Sequence, residues 1–325
     1  MKTFKNSELK TFEQLASLTQ GSLKQVLASF LKKHYSKVIH TKDYIFAEGD
    51  IPVGLVAHMD TVFKEPPTEI FFDQTKNVMW SPQGLGADDR AGVFAIVQII
   101  RAGYRPHVIF TTDEEVGGIG AMAIAELDCP FSDLKYLIEL DRRGSNDCVF
   151  YDCDNRPFNE YVETFGFEWN FGTYSDICDI CEAWKVAGVN LSIGYRDEHS
   201  DTEVLFVGQM LSTIEKVKNM LDDAENLKTP FAYIPNARTR WSYAYGYGSD
   251  WYNSHSEIFK CQGCGKYYME EEMFPAVMID GGTRYYCPDC LIGSVAWCDE
   301  CGSAFQKVSP DAPDSGLCPK CKGVV

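Results

Sequence analysis

Val53-Gly54-Leu55-Val56-Ala57-His58-Met59-Asp60-Thr61-Val62 is an apolar run that stops at a histidine, an aspartate and a threonine. An apolar run of this length without polar alternation reads as a strand buried on both faces, as in a parallel sheet. Residues two apart on a strand point the same way, which sets Asp60 beside His58. From there a carboxylate can grip the second ring nitrogen, as carboxylates do for metal-bound histidines. A strand that ends in polar residues is commonplace, so the rest of the chain must decide between a structural histidine and a ligand.

On the N-terminal side, Ser22 reads as the N-cap of a helix from Leu23 to Tyr35, with Leu23, Val26, Leu27, Phe30 and Leu31 as its apolar stripe. Short strands are expected at Lys37–His40 and Tyr44–Ala47. On the C-terminal side, Gly84-Leu85-Gly86-Ala87-Asp88-Asp89-Arg90-Ala91-Gly92 leads into an apolar helix from Val93 to Ile100. One aspartate at a helix start is a cap; a second is more than a cap requires. A strand expected at His107–Thr112 runs into Asp113-Glu114-Glu115, and three acids at one tip need solvent or a cation to screen them. Leu134–Leu140 ends in Asp141-Arg142-Arg143, and Val186–Ile193 is followed by Tyr195-Arg196-Asp197-Glu198-His199, before a last helix expected over Thr202–Leu221. Strands alternating with helices predict an α/β fold: a three-layer αβα sandwich on a mostly parallel mixed sheet, whose ligands gather beyond the carboxyl ends of the strands. Every singular residue falls at such an end.

The chain has 325 residues and a formal charge of −17, which speaks against nucleic acid as its partner, since phosphate binding runs on clustered lysine and arginine. Its N-terminal stretch has no apolar core of a secretory leader, and no run reaches the length of a membrane span, so no membrane and a cytoplasmic location are expected. Thirteen cysteines in a reducing compartment point to metal rather than disulfides. Collected, the strand ends offer His58, Asp88, Glu115, Asp141 and His199, with Glu114 and Asp60 beside them. Two imidazoles and three carboxylates, one of them shared, suit two Zn²⁺ ions about 3.5–4 Å apart, and Glu114 is the natural acceptor for a water proton.

At this point the sequence resembles the co-catalytic dizinc exopeptidases, which include leucyl aminopeptidases, peptidase T and the acetylornithine-type deacetylases. The matching strings are AHMDTV (57–62), GLGADDRAG (84–92), TTDEEVGGIGA (111–121), IELDRRG (138–144) and GYRDEHSDTE (194–203), in the family's order. The resemblance covers roughly residues 20–225. It implies that His58 and Asp141 hold one zinc and Glu115 and His199 the other, with Asp88 bridging. It also implies that Asp60 orients His58, that Glu114 is general base and then acid, and that the Asp88–Asp89 peptide is cis. Some relatives use a glutamate at the position of Glu139, two residues before Asp141; the residue nearer the strand tip fits better. Mn²⁺ or Co²⁺ can replace the catalytic zinc pair. Only 57 residues separate Asp141 from His199, too few for the lid domain that the peptidase T and deacetylase branch inserts there, which favours the lidless aminopeptidase-type branch.

The C-terminal quarter carries four CxxC pairs: Cys261/Cys264, Cys287/Cys290, Cys298/Cys301 and Cys318/Cys321. Consecutive pairs, 22 and 16 residues apart, predict two structural four-thiolate zinc sites in small zinc-ribbon modules. From Glu257 to Val325 there are 10 acidic against 6 basic residues, so these ribbons suit a protein partner or a second copy of the chain rather than nucleic acid. Cys178/Cys181, with Cys129, Cys148 and Cys153, read as buried thiols. The expected organisation is a catalytic domain at 1–228, an aromatic and glycine-rich linker at 229–256 and two ribbons at 257–325. The function this implies is hydrolysis of peptide or amide bonds, with an aminopeptidase on small peptides as the leading reading. A deacylase of N-acyl amino acids or a carboxypeptidase is the alternative: Arg142, Arg143 or Arg196 would hold a substrate carboxylate, whereas acids such as Asp176 would hold an amine. The contrasting class is a scaffold protein whose ribbons act and whose hydrolase domain is vestigial.

Overall fold

The computed structural model describes residues 2–236, 258–264, 266–269, 273–280, 282–307 and 315–323. The chain divides into two compact units, Met1–Gly246 and Tyr247–Val325. Most of the stretch expected as a linker, 237–256, lies outside the described residues.

The first unit opens with α1 (Asn6–Ala16) and α2 (Gln20–Leu31), then β1 (Lys37–His40), β2 (Tyr44–Glu48) and β3 (Ile51–His58). β4 (Phe71–Asp73) and β5 (Val78–Trp80) precede α3 (Ala87–Arg101), β6 (Pro106–Thr111) and α4 (Ile119–Ala125). β7 (Tyr136–Arg142), β8 (Asp147–Val149), α5 (Arg156–Glu163), β9 (Glu168–Trp169), α6 (Ile177–Trp184) and β10 (Gly188–Ser192) follow. The unit continues with β11 (Tyr195–Arg196), β12 (Val204–Phe206) and α7 (Val207–Ala224). An eight-stranded sheet runs β1-β2-β6-β3-β7-β10-β8-β9. Its centre, β6-β3-β7-β10, is parallel, while β2 and β8 join it antiparallel. Helices cover both faces, with α1, α2, α3, α5 and α7 packed into one apolar cluster and α4 and α6 into another. This is the expected three-layer α/β sandwich.

β3 is buried along nearly all its length, as a central parallel strand must be. α3 lies against β7 so closely that a Cβ on Gly92 would stand 2.4 Å from the Leu140 carbonyl oxygen, which is why a glycine interrupts the apolar run there. Phe4 and Phe12 clasp Phe94 of α3 at centroid distances of 5.3 and 5.6 Å, fixing the N-terminal helix on the sandwich. Burying each such ring stabilises the fold by about 1.5–3 kcal/mol.

Several boundaries differ from expectation. α2 is capped by Thr19, whose side chain accepts from the Ser22 N–H, and it ends at Leu31; Val26, placed in the core stripe, is exposed. The last helix starts at Val207, not Thr202, because Val204–Phe206 is instead a strand. That strand belongs to a second sheet, β11-β12-β5-β4. After α7 the chain turns back onto this unit: Phe231 donates its N–H to the Lys135 carbonyl and Tyr233 to that of Lys185. Of the five cysteines read as buried thiols, Cys148, Cys153 and Cys181 are buried, while Cys129 and Cys178 are partly accessible.

The second unit contains β13 (Ile258–Lys260), β14 (Tyr267–Met269), β15 (Phe274–Val277), β16 (Thr283–Tyr286) and α8 (Pro288–Ser294). It is completed by β17 (Val295–Cys298), β18 (Ala304–Gln306) and β19 (Ser315–Gly316). Met273, Ala276, Met278 and Tyr286 share one small core with Val295 and Ala304, so both halves of the unit pack together. Among the described residues no helix is long and apolar enough to cross a membrane.

Candidate dinuclear metal centre

Parallel pairing aligns the strand ends. His58 closes β3 opposite Thr111 of β6, two residues before Asp113. On the other side Val56 pairs with Glu139 of β7, so His58, two residues on, stands level with Asp141. Asp88 enters from the start of α3, where Gly86 takes a left-handed conformation (φ 65°) and neither Asp88 nor Asp89 is helical. The peptide between these two aspartates is cis. His199 comes from the turn between β11 and β12.

The side chains converge on Asp88. Its Oδ1 lies 3.1 Å from His58 Nε2 and its Oδ2 lies 3.2 Å from His199 Nε2. His58 Nε2 also faces Asp141 Oδ1 at 3.5 Å, and His199 Nε2 faces Glu115 Oε2 at 3.0 Å. Two ligand sets therefore share one carboxylate: His58, Asp88 and Asp141 form one, and Asp88, Glu115 and His199 the other. Glu114 and Glu115 also come within reach of His58. Donors about 2.0–2.1 Å from a common tetrahedral ion stand roughly 3.4 Å apart, the scale of these separations. Asp60 supports the arrangement from behind: Oδ1 is 3.3 Å from His58 Nδ1, and its two oxygens accept the N–H groups of Glu114 and Glu115, both at 3.0 Å. One carboxylate thus fixes the imidazole and the loop that carries both glutamates.

The electrostatics call for a cation. Burial pushes Glu114 up to about 10, aided by Asp141, Asp176 and Glu115 and opposed by His58. Burial and the neighbouring Asp88 raise Asp141 to about 7. Hydrogen bonds to Asp88 and Glu115 hold the His199 imidazolium up to about 11. Burial disfavours a charged His58, yet Asp141, Asp60 and Asp88 keep its proton well above the ordinary histidine range. In the metal-free protein, protons on the imidazoles and on Glu114 and Asp141 themselves relieve this crowding of acids. A divalent ion pair would relieve it instead, with the imidazole nitrogens as ligands and Glu114 ionised. Glu115 Oε1, buried without a hydrogen-bond partner among the described residues, is a further free donor.

All seven residues singled out at the strand ends are brought together. Asp141, not Glu139, faces His58. Glu139 is fully buried behind Asp141, where its Oε2 accepts from Ser175 Oγ at 2.5 Å and from the Ile177 N–H at 3.4 Å. Ser175 Oγ also bonds Asp141 Oδ2 at 3.1 Å, and the Tyr195 hydroxyl donates to Asp141 Oδ1 at 3.0 Å, so Asp141 is positioned from two sides. Asp176, considered as an amine holder, is wholly buried: Thr111 Oγ1 donates to its Oδ2, while its Oδ1 has no hydrogen-bond partner among the described residues. Arg142 donates to the Phe171 carbonyl, Arg143 pairs with Glu198 at 2.9 Å, and Arg196 lies over the Phe206 ring.

In the second unit the eight cysteines form the two expected sets, Cys261/Cys264/Cys287/Cys290 and Cys298/Cys301/Cys318/Cys321. Cys261 and Cys287 Sγ stand 3.7 Å apart and Cys301 and Cys318 Sγ 3.9 Å, matching the edge of a tetrahedron with Zn–S near 2.3 Å, roughly 3.8 Å. Backbone N–H groups point at the sulfurs, Cys287 at Cys261 Sγ and Cys318 at Cys298 Sγ, both at 3.3 Å. For Cys298 such bonds are the main cause that brings the thiol down to about 6; for Cys261 burial opposes them, and it too falls to about 6. Thiolates held this way are ready zinc ligands.

No protein-family model and no curated protein matches the chain. Solved structures do. Aminopeptidase PepT from Bacillus cereus superposes with a TM-score of 0.55 at 14% identity, over 67% of this chain and 98% of that one. A tripeptidase from Staphylococcus aureus gives 0.54 at 14%, over 68% and 98%. The TET aminopeptidase of a marine-sediment Thaumarchaeota archaeon gives 0.50 at 12%, over 68% and 99%. Over about two thirds of its length, this chain has the fold of the PepT and TET aminopeptidases.

Proposed function

We propose that the protein is a dizinc aminopeptidase acting on small peptides, with two further zinc ions structural in the ribbons. The observation that carries this reading is the two-sided use of Asp88, whose oxygens each face their own histidine at 3.1 and 3.2 Å. His58 and Asp141 would hold one ion, Glu115 and His199 the other, and Asp88 both. When bound, such a pair supplies Lewis acidity to the amide carbonyl and to the attacking water. The chain's own groups do the rest. Glu114 accepts the proton of the water and returns it to the leaving nitrogen. Asp60 keeps the His58 ring turned to the centre and holds the Glu114 backbone. That the PepT and TET proteins of the same fold are aminopeptidases supports the choice of activity.

The test is a peptide-library digest read by mass spectrometry. N-terminal trimming is the expected result. C-terminal trimming, or hydrolysis confined to N-acyl amino acids, transfers the site to a carboxypeptidase or deacylase, and inertness with metals bound favours the scaffold reading. A second expectation concerns content: about four zinc-type ions per chain, since ligand sets for four are present. Mild chelation should strip the catalytic pair, and activity with it, before the four-thiolate sites. Two ions lost together with the fold would argue against a dinuclear centre; replacement of the catalytic pair by Mn²⁺ or Co²⁺ would not. We place the protein in the cytoplasm, a reducing compartment in which its cysteines serve as metal ligands and thiols rather than disulfides, and assign the acidic ribbons to assembly or substrate access through a protein surface.

A further inference from the structure

Glu203 lies four residues beyond His199 and is wholly buried. Its carboxylate is bonded to the backbone that carries Asp88. Oε2 accepts the Ala87 N–H at 3.1 Å and Oε1 accepts the N–H of Asp88 itself at 3.0 Å, with the Gly86 N–H also directed at it. These are N–H groups at a helix start, the ones that no helical ladder can satisfy. Here the need is sharper than usual, because Asp88 (φ −81°, ψ 105°) and Asp89 (φ −113°, ψ 41°) leave the helical region. Asp88 sits on a segment whose backbone conformation its own helix does not enforce. The donors find their acceptor instead on another ligand loop, in the two oxygens of Glu203. The Glu203 N–H in turn bonds the Ser200 carbonyl at 3.2 Å, which ties the carboxylate to the turn that presents His199.

We infer that Glu203 is a positioning residue for the dinuclear centre: it locks the Asp88 segment to the His199 turn, so that the bridging carboxylate and its histidine keep their separation. This deepens the reading given under the proposed function and rests on it. Because Asp88 is common to both ligand sets, the consequence is specific: loss of Glu203 weakens both ions at once. Residues behind Asp141 or Glu115 would weaken one.

The test is a Co²⁺ titration of the full-length protein after mild chelation, followed by the visible absorbance of the bound ion. Glu203→Gln keeps the shape but turns an N–H donor toward backbone donors, and Glu203→Asp keeps the charge but not the reach. Both should bind Co²⁺ about 10–100-fold more weakly at both positions, the scale for groups that orient metal ligands. Ribbon zinc should be unchanged, and turnover should recover at saturating Co²⁺. A merely structural role lowers the melting midpoint and leaves the dissociation constants of the folded protein alone. Wild-type affinities in a folded variant, or weakening of one ion only, overturn the inference while leaving the proposed function standing. A wild-type protein that takes up no Co²⁺ at this centre overturns both, and with two variants the measurement does not depend on either one folding.

Discussion

Replacing Glu114 by glutamine should lower peptide hydrolysis by at least about 10²-fold while both proposed catalytic ions stay bound. The amide keeps the size of the carboxylate, and the anchor of this residue is untouched, since it is the Glu114 backbone N–H that donates to Asp60 at 3.0 Å. In the proposed assignment Glu114 ligates neither ion, although it stands with Glu115 within reach of His58. What disappears is the only function the amide cannot copy, acceptance of a proton from water. Glu115→Gln is the control: the adjacent residue has nearly the same backbone setting, but its Oε2 lies 3.0 Å from His199, so its loss should show first as weaker metal binding. Metal content and steady-state rates on the two variants separate the roles. A Glu114→Gln protein with near wild-type turnover would remove Glu114 from the proton path.

Part of the proposed ligand set was legible because apolar runs stop at His58, at Asp113 just before Glu115, and at Asp141, which is anomalous in one dimension, while Asp88 was marked by a second aspartate at a helix start. Their convergence follows from parallel pairing, which sets the ends of β3, β6 and β7 side by side. What stayed hidden is burial inside polar segments. Glu203 and Asp176 sit among polar neighbours and look solvated in sequence, yet both are fully buried. Only the tertiary structure shows that Glu203 serves N–H groups more than a hundred residues earlier in the chain. The second sheet was missed for a related reason: β11 and β12 have two and three residues, too short for an alternation to register. Thr19 and Ser22 are both good caps, and the helix uses Thr19; separately, its buried face takes Leu23, Lys24, Leu27, Ala28 and Leu31, which leaves Val26 exposed. Cysteine spacing needed no such context, because four close pairs leave few ways to build a site.

Asp88→Ala should release both catalytic ions together and lower activity by more than about 10³-fold, because several kcal/mol of charge stabilisation at the reacting centre depends on those ions and each 1.4 kcal/mol is a factor of ten. The reason for joint loss is geometric. Oδ1 faces His58 and Oδ2 faces His199, so no other residue can stand in for both contacts. The two imidazoles would remain with Asp141 on one side and Glu115 on the other, two donors each, fewer than a catalytic zinc site normally provides. Asp141→Ala and Glu115→Ala give the contrast: each leaves one ligand set complete and should lower the affinity of one ion before the other. Metal content after gel filtration, compared across the three variants, distinguishes shared from separate use of Asp88. If Asp88→Ala retained one ion at this centre with unchanged affinity, Asp88 would belong to a single metal and the bridging arrangement would fail. The ribbons serve as internal reference in the same measurement, since their thiolates lie in a separate unit and their two ions should stay in place throughout.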